Sequence, residues 1–406
     1  MRKWAYMGIP HTGGTYSVFT SLRKGLREHG IELRWVGVGA GEADMAADGA
    51  ANGELQLGTV VAQAERDDKR QAAALVEFFA AGDYEGVFVN VLSGRVATNS
   101  IRYLSPGVRR ILIAHTTTIA TYAAARAVRD YVHAAVGVSP RIARDLIAHN
   151  GFSKASTVTI ANAIDVERFS VAERTVLPDC LRIVFLGRVE DTAKGCLLLP
   201  RIIEQVNRSG VRAQCTVAGD GPDLARLKRR CTDLSNVRFL GGVPREAVPG
   251  ILSDADVYLF PSRYEGFGLS LVEAMASGCV PVASAISGVT DAIVEHGTTG
   301  WLFPIGHWKQ AADYIVLLAL DPTRRREMSL LASRSVRSRF STEQIACQYV
   351  AIMDAVVRLP RPLSQPLDVR GWAYPRGLGD GWRAYLPEGM KRRLRVVRER
   401  FVAATA

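Results

Sequence analysis

Short apolar runs alternate with amphipathic segments along almost the whole chain. A short continuous apolar run favours a buried strand, and apolar positions spaced three and four apart favour a helix. The predicted strands are WAYMGI, LRWVGVG, GVFVNVL, RILIAHT, AAVGVS and TVTIAN, followed by LRIVFLG, AQCTVAG, VRFLGG, DVYLFPS and VPVAS. Helices are predicted over 16–28, 69–81, 141–149, 197–209, 223–232, 268–277, 307–319 and 323–338. Continuous apolar strands between helices indicate parallel sheets that are covered on both faces.

Eleven such strands would be unusual in one sheet, so the pattern predicts two doubly wound α/β domains. The polar stretch RFSVAERTVLPDC, over 168–180, has the composition of a linker between them. We therefore expect a first Rossmann-like domain over 1–170 and a second over 171–345. A helical segment that ends in a basic tail would follow over 346–406.

The composition is that of an ordinary soluble protein, with 48% hydrophobic and 22% charged residues. No apolar run reaches the roughly 18 residues that a membrane-spanning helix needs, and the first residues do not resemble a signal peptide. The six cysteines all lie in the second half, without a CxxC pair. We expect them to be buried free thiols in a reducing cytoplasm.

The formal net charge of +11 favours anionic partners such as nucleotides and phospholipid head groups. No zinc-finger spacing or aromatic RNA-binding motif accompanies it, so we expect no nucleic-acid partner. Residues 361–406 hold ten basic and four acidic residues. This tail could cross back onto the first domain with Trp382, Tyr385 and Leu386 as anchors. It could instead touch anionic lipid at the inner face of the cytoplasmic membrane, or be a solvated basic helix.

Ligands of open parallel sheets bind beyond the carboxyl ends of the strands, which directs attention to the loops there. In the first domain, GIPHTGGTYS places Gly13 and Gly14 between a strand and a helix, as a phosphate or acceptor loop or as a tight turn. His115 ends the strand of ILIAHTTT, where it is either a satisfied core residue or a partner of a sugar hydroxyl. The GxGxG of VGVGAGEADM lacks the third glycine of a dinucleotide fingerprint and is interpreted as a surface loop.

In the second domain, FLGRVEDTAKG places two cations, Arg188 and Lys194, just after a strand. A guanidinium and an ammonium in such a loop suit a diphosphate. The alternative is that both are solvated surface charges without a binding role. The acidic pair Asp254 and Asp256 has the letters of a metal-binding DxD but leads directly into a strand. We interpret it as structural and predict no metal site.

The stretch RYEGFGLSLVEA carries Glu265 in a glycine loop and Glu273 in the first turns of a predicted helix. The amides of Gly266, Phe267, Gly268 and Leu269 fall at the start of that helix, where the helix dipole favours phosphate. Because an ionised carboxylate only accepts hydrogen bonds, the two acids could each grip hydroxyl groups of one ligand.

Together these segments resemble the retaining GT-B glycosyltransferases of family 4, also called glycosyl transferases group 1. FPSRYEGFGLSLVEAMASGCVPVAS is similar to the family's E-x7-E signature, and GRVEDTAKG is similar to its GR…KG loop. GDGP, FLGGVPREAV and TIANAIDVERF follow the family's order, and GGT and ILIAHT match its glycine loop and cleft histidine. The likeness covers about 1–355 and is stronger in the second domain. Ala161 and Ala163 depart from the usual proline and glycine.

The resemblance implies two Rossmann-like domains facing across a cleft and a nucleotide-diphosphate sugar as donor, with a UDP or GDP carrier. Arg188 and Lys194 would then bind the diphosphate, and Glu273 would hold the ribose hydroxyls. Glu265, with the amides that follow it, would meet the donor sugar and phosphate, and the loop 241–246 would flank the base. His115 would touch the sugar near the reacting centre, and Gly13 and Gly14 would approach it.

The same resemblance implies a retaining hexosyl-type transfer in cell-envelope polysaccharide biosynthesis, without a bound metal or other cofactor. The acceptor would be a glycan, a lipid-linked glycan or a small molecule. Two alternatives use the same fold: a sugar-nucleotide epimerase and a donor-binding subunit without activity. A dinucleotide oxidoreductase is supported only by the doubly wound pattern and the GxGxG loop.

Overall fold

The computed structural model describes residues 1–10, 14–39, 55–91, 94–169, 180–358, 360, 362–379, 390 and 397. The chain forms two compact units. The first unit holds Met1–Ala163 together with Thr342–Tyr385, and the second is built on Ile164–Ser341. The chain therefore leaves the first unit after residue 163 and returns to it at residue 342, a few residues before the boundaries at 170 and 345 that the sequence suggests.

Within its described residues, the first unit contains a sheet of seven parallel strands in the order β3-β2-β1-β4-β5-β6-β7. The strands are β1 (Arg2–Met7), β2 (Ile31–Val38), β3 (Gly58–Val61), β4 (Gly86–Asn90), β5 (Arg109–Ala114), β6 (Ala134–Gly137) and β7 (Thr157–Thr159). All positions of β4 and β6 are buried. Burial on both faces is the reason that the central strands read as unbroken apolar runs.

Helices cover this sheet. They are α1 (Gly14–Glu28), α2 (Asp68–Ala81), α3 (Arg95–Ser100), α4 (Ile119–Val128), α5 (Pro140–Asn150) and, after the return of the chain, α13 (Thr342–Arg358). Local sequence sets several ends: Asp67 caps α2 by accepting from the amide of Arg70, and Gly151 ends α5 in the left-handed conformation. The last helix, α13, packs against α1.

After α13 a segment over 362–379 lies along the first unit. The indole of Trp372 packs on the ring of Tyr103 at 5.0 Å, and the hydroxyl of Tyr374 donates to Asp68 at 2.6 Å. The carbonyl of Ala373 accepts from the side-chain amide of Asn99 at 3.1 Å. The anchors that the sequence suggested for this return, Trp382, Tyr385 and Leu386, lie outside the described residues.

In the described part of the second unit, six parallel strands form a sheet in the order β10-β9-β8-β11-β12-β13. The strands are β8 (Leu181–Leu186), β9 (Ala213–Ala218), β10 (Val237–Gly241), β11 (Val257–Phe260), β12 (Val280–Ser284) and β13 (Trp301–Phe303). The order reverses between β8 and β11, and β11 and β12 are buried along their whole length. Loops at such a reversal form the usual ligand crevice of an open parallel sheet.

The helices of the second unit are α6 (Asp191–Lys194), α7 (Leu199–Arg208), α8 (Leu224–Arg230), α9 (Val248–Ser253), α10 (Leu269–Ala276), α11 (Trp308–Leu320) and α12 (Pro322–Phe340). On one side of the sheet α7 and α11 bury Ile202, Ile203 and Ile315 in a continuous apolar core. No helix among the described residues is long and apolar enough to cross a bilayer.

The hydrophobic pattern predicted most of these elements. All eleven expected strands and all eight expected helices are confirmed, with ends shifted by a few residues. The pattern missed β3 and β13, which have only four and three residues. It also missed the short helices α3, α6 and α9. A further helix that it missed is α4, whose alanine-rich sequence follows a run of threonines. The cysteines are free, but burial was wrong for Cys347, which is exposed on α13.

Candidate functional site

The start of α10 presents a row of backbone amides. Gly268 precedes the helix in the left-handed region, with φ of 104°, which a residue with a Cβ rarely adopts. The amides of 266–270 donate to no acceptor among the described residues, whereas those of Leu271 and Val272 bond to the carbonyl of Gly268. Phe267 is buried against Phe340 with ring centroids 5.5 Å apart, which fixes the loop. Free amides at a helix N-terminus are an anion-binding arrangement.

Glu265 is ion-paired beside this row of amides. Its Oε1 lies 2.6 Å from Nζ of Lys194 and accepts from the hydroxyl of Ser262 at 2.7 Å. The two charged side chains are 11% and 25% exposed, so the pair is only partly hydrated. Lys194 also lies over the ring of Phe260, 5.7 Å from its centroid. The structure thus brings together two residues that are 71 positions apart in the sequence.

The loop of α6 is tied to the loop that precedes α10. The amide of Arg263 donates to the carbonyl of Ala193 at 2.7 Å, and its guanidinium pairs with Asp191 at 3.2 Å. Gly195 ends α6 with φ of 61°, and a Cβ there would collide with the carbonyl oxygen of Pro261. Arg263 and Asp191 were not singled out from the sequence. The position of Arg263, two residues before Glu265, could have suggested a role. Its partner Asp191, however, follows a different strand, and the sequence does not show that they meet.

Arg188 is held more loosely than Lys194. It follows β8, and its Nε lies 3.2 Å from Oε2 of Glu190. The Arg188 side chain is 63% exposed, so its guanidinium remains open to a ligand from solvent. Glu190 is buried and also accepts from the hydroxyl of Thr192 at 3.0 Å. Both cations are therefore ion-paired, but Arg188, which precedes α6, is mostly exposed, whereas Lys194, which ends α6, is partly buried.

Glu273 lies on α10 in a half-buried position. Burial raises the pKa of its carboxyl to about 7, against the positive charges of Arg245 and Arg168, which lower it. Arg168 donates to the carbonyl of Arg245 at 3.3 Å, which joins these two cations. Among the described residues, no hydrogen bond to the Glu273 carboxylate is present. A carboxylate so placed can accept hydroxyl groups from a ligand.

His115 belongs to the first unit, where it follows β5. Its Nε2 lies 2.9 Å from Oδ1 of Asn90, the last residue of β4. Burial lowers the pKa of the imidazole to about 4, so the ring is neutral at physiological pH. Asn90 was not identified from the sequence because it ends an apolar run that reads as the interior of a strand. Two glycines were also predicted as site residues in this unit. Gly13 lies outside the described residues, and Gly14 is the first residue of α1.

Of the acidic pair before β11, Asp256 has the structural role that the sequence predicted. Oδ1 of Asp256 lies 3.0 Å from Nη2 of Arg182, and Oδ2 accepts from the amide of the same arginine. Asp254 is the C-terminal cap residue of α9. Elsewhere in the described chain, no group of three His, Cys, Asp or Glu side chains is arranged to hold a metal ion.

Comparison with known proteins bears on both the second unit and the fold. Residues 174–333 match the family model described as glycosyl transferases group 1. The chain is 31% identical over 174 residues to N-acetyl-alpha-D-glucosaminyl L-malate synthase of Bacillus anthracis, covering 42% of this chain and 43% of that protein. It is 30% identical over 203 residues to phosphatidyl-myo-inositol mannosyltransferase of Mycobacterium leprae, covering 49% and 54%. The matches thus span about half the length of these relatives.

Solved structures match over nearly the whole chain. HepE of Anabaena in complex with UDP superposes with a TM-score of 0.72 at 18% identity, covering 87% of this chain and all of that one. Sucrose-phosphate synthase of Thermosynechococcus elongatus gives 0.73 at 19% identity, covering 88% of this chain and 100% of that one. Likeness at this identity establishes the fold alone. Residues 174–333 thus match the glycosyl transferases group 1 family model, within a chain that has the two Rossmann-like units of the GT-B fold.

Proposed function

We propose that this protein is a retaining glycosyltransferase of family 4 that transfers a hexosyl group from a UDP- or GDP-sugar to a hydroxyl acceptor. The observation that carries the proposal is the row of unbonded amides at 266–270, placed between Glu265 and Glu273. Such a row suits a phosphate, and flanking carboxylates suit hydroxyl groups. A nucleotide sugar contains both, with ribose on one side of its diphosphate and the sugar on the other.

The cations complete this arrangement. Arg188 is exposed and can approach a diphosphate from solvent, and Lys194 already lies beside the amide row through its pair with Glu265. We assign the diphosphate to these two cations and the amides. We assign the ribose hydroxyls to Glu273 and the donor sugar to Glu265. Charge that develops on the leaving diphosphate would be stabilised by groups that are already in position.

The proposed chemistry needs no acid–base pair of carboxylates. The bond between the anomeric carbon and the diphosphate oxygen breaks, and a bond from the acceptor oxygen forms on the same face of the sugar. The acceptor proton passes to an oxygen of the leaving diphosphate. His115 would contact the sugar near the reacting carbon, and Gly13 and Gly14 would line its approach. No metal ion or other cofactor has a part in the proposed step.

The names of the relatives do not indicate one class of acceptor. The name of one matched protein contains malate and that of another contains phosphatidyl-myo-inositol. We propose a glycan, lipid-linked or small-molecule acceptor in cell-envelope biosynthesis. The protein would then work in the cytoplasm, with its basic tail in peripheral contact with anionic lipid of the cytoplasmic membrane. The net charge of +11 supports that contact.

A panel of nucleotides tests the donor assignment. UDP, GDP and NAD are titrated into the full chain by calorimetry, and we expect UDP or GDP to bind while NAD does not. Binding of NAD alone would overturn the proposal in favour of an oxidoreductase.

Transfer is then measured from a panel of nucleotide sugars to a cell-lipid extract, with the anomeric configuration of the product read by NMR. Product with the configuration of the donor is expected. Inversion would exclude a retaining enzyme. Donor binding with interconversion of the sugar, or with no transfer to any acceptor fraction, would point to the epimerase or to the subunit without activity.

A further inference from the structure

Three strand ends of the first unit meet at one asparagine side chain. Asn90 ends β4, and its Nδ2 donates to the carbonyl of Met7, the last residue of β1, at 2.7 Å. Its Oδ1 lies 2.9 Å from Nε2 of His115, which follows β5. The hydroxyl of Tyr6 also bonds to the Asn90 side chain. Because β1, β4 and β5 are neighbours in the sheet, their carboxyl ends bring these groups together.

The orientation of the Asn90 amide follows from the Met7 carbonyl. A carbonyl can only accept a hydrogen bond, so the atom 2.7 Å from it must be the nitrogen of the amide. The opposite orientation would put two oxygens in contact there. The oxygen of Asn90 therefore faces His115, and an oxygen without a proton can only accept from Nε2.

We propose that Asn90 is a positioning residue that fixes His115 in the Nε2–H tautomer and leaves Nδ1 as an acceptor for a ligand hydroxyl. Nδ1 is withdrawn from solvent and has no hydrogen-bond partner in the described structure. A buried acceptor without a partner is uncommon, and a functional ligand is one of the reasons that such an atom persists. The sequence alone left open whether this ring donates or accepts, and the network selects acceptance.

The surroundings keep the ring neutral. Burial is the cause that lowers the pKa of His115, to about 4. Among the described residues, the titratable groups at this end of the sheet are Tyr6 on β1 and Tyr349 on α13, and burial raises the pKa of both hydroxyls. Thr116, Thr117 and Thr118, which follow His115, carry only neutral hydroxyls. No described carboxylate faces the imidazole to favour its charged form.

Long-range proton–nitrogen NMR spectra of the full chain, labelled with ¹⁵N-histidine, test the tautomer directly. The His115 signals are assigned among the seven histidines by comparison with His115→Gln. At neutral pH we expect a protonated Nε2 and an unprotonated Nδ1, unchanged down to about pH 5. A protonated Nδ1 at neutral pH, whether in the other tautomer or in an imidazolium, overturns the proposal. The measurement uses no donor or acceptor, so its failure is distinct from a failure of the proposed function.

Two variants test the role of Asn90 itself. Asn90→Leu removes the acceptor at similar volume, and we expect signals of the Nδ1–H tautomer to appear. Asn90→Asp keeps an oxygen toward Nε2, so the tautomer should persist, while its charge should raise the pKa of His115 and bring imidazolium signals at higher pH. Thr116→Val, at the next position in the chain, is the control and should leave the tautomer of His115 unchanged.

An unchanged His115 spectrum in both Asn90 variants would show that Asn90 does not set the tautomer. If Asn90→Leu does not fold, the wild-type spectrum and the Asn90→Asp titration still decide the question. Once a donor is identified, Asn90→Asp should also introduce an acid limb in the pH profile of transfer, which a purely structural role would not produce.

Discussion

The two units hold their predicted site residues by different forces. In the second unit, Lys194 and Glu265 are opposite charges 2.6 Å apart in a partly buried place. In the first, His115 and Asn90 are neutral groups 2.9 Å apart. A charged ligand can exchange with a charged pair, because a diphosphate near Lys194 replaces some of the attraction that Glu265 supplies. The neutral hydrogen bond between Asn90 and His115 offers no charge for a ligand to replace. Instead, it determines which nitrogen of the imidazole can accept a hydrogen bond.

This difference has a physical consequence for pH. The second unit contains Glu273, whose carboxyl has its pKa raised by burial into the physiological range, and a ligand that needs it ionised will bind in a pH-dependent way. The imidazole of the first unit has its pKa lowered to about 4, far from that range. We therefore expect the second unit to set the response of the protein to charge and pH near neutrality.

Removing Glu265 from its ion pair with Lys194 should have the largest effect on transfer. Glu265→Ala deletes the proposed grip on the donor sugar and leaves Lys194 without its ionic partner. We expect transfer to fall by roughly a thousandfold, the upper range for loss of one preorganised interaction. Steady-state transfer with a saturating donor measures it. Glu327→Ala, an exposed glutamate on α12, is the matched control, and full activity of Glu265→Ala would remove this residue from the site.

Arg188→Ala comes next and separates ligand binding from stability. Its guanidinium is mostly exposed, and Glu190 keeps the hydroxyl of Thr192 as a partner, so the melting temperature should fall by no more than about a few degrees. Transfer should nevertheless fall by roughly a hundredfold, because the diphosphate loses a forked cation. Arg226→Ala, another exposed arginine with an acidic neighbour, is the control. Full transfer in Arg188→Ala would show that the diphosphate is held by Lys194 and the amides of 266–270 without Arg188.

The smallest predicted effect is the pH dependence of donor binding. In its proposed role, ionised Glu273 would accept ribose hydroxyls, and its carboxylate gains a proton as the pH falls through about 7. Affinity for UDP or GDP should be highest above that pH and weaken by up to about tenfold for each unit below it. Calorimetry on Glu273→Gln, over the same buffers, corrects for titration of the nucleotide phosphate. Equal pH profiles for the two proteins would exclude Glu273 from the ribose site.

The parts of the fold that the sequence predicted are those with a strong local pattern. Strands such as β11 and β12 are short, mostly apolar runs that are buried along their whole length, since both faces of the sheet are covered. The three residues of β13 are too few to show a period. The helix α4 begins shortly after β5, so its apolar positions were read together with those of the strand. The site around Glu265 and Glu273 was recognisable because the loop and the helix that carry these residues are contiguous in the sequence. Arg263 and Asp191 were missed because their ion pair joins two different strand exits.

By itself, the sequence determined that the chain builds two parallel sheets and that one loop and helix start carries two carboxylates around free amides. These features depend on periodicity and on glycine positions, which are local properties. Only the tertiary structure decided that Lys194 pairs with Glu265, that Glu273 is half-buried, and that Asn90 orients His115. Hydrogen bonds and burial between distant residues arise when neighbouring strands place their ends together, and no local pattern encodes that proximity.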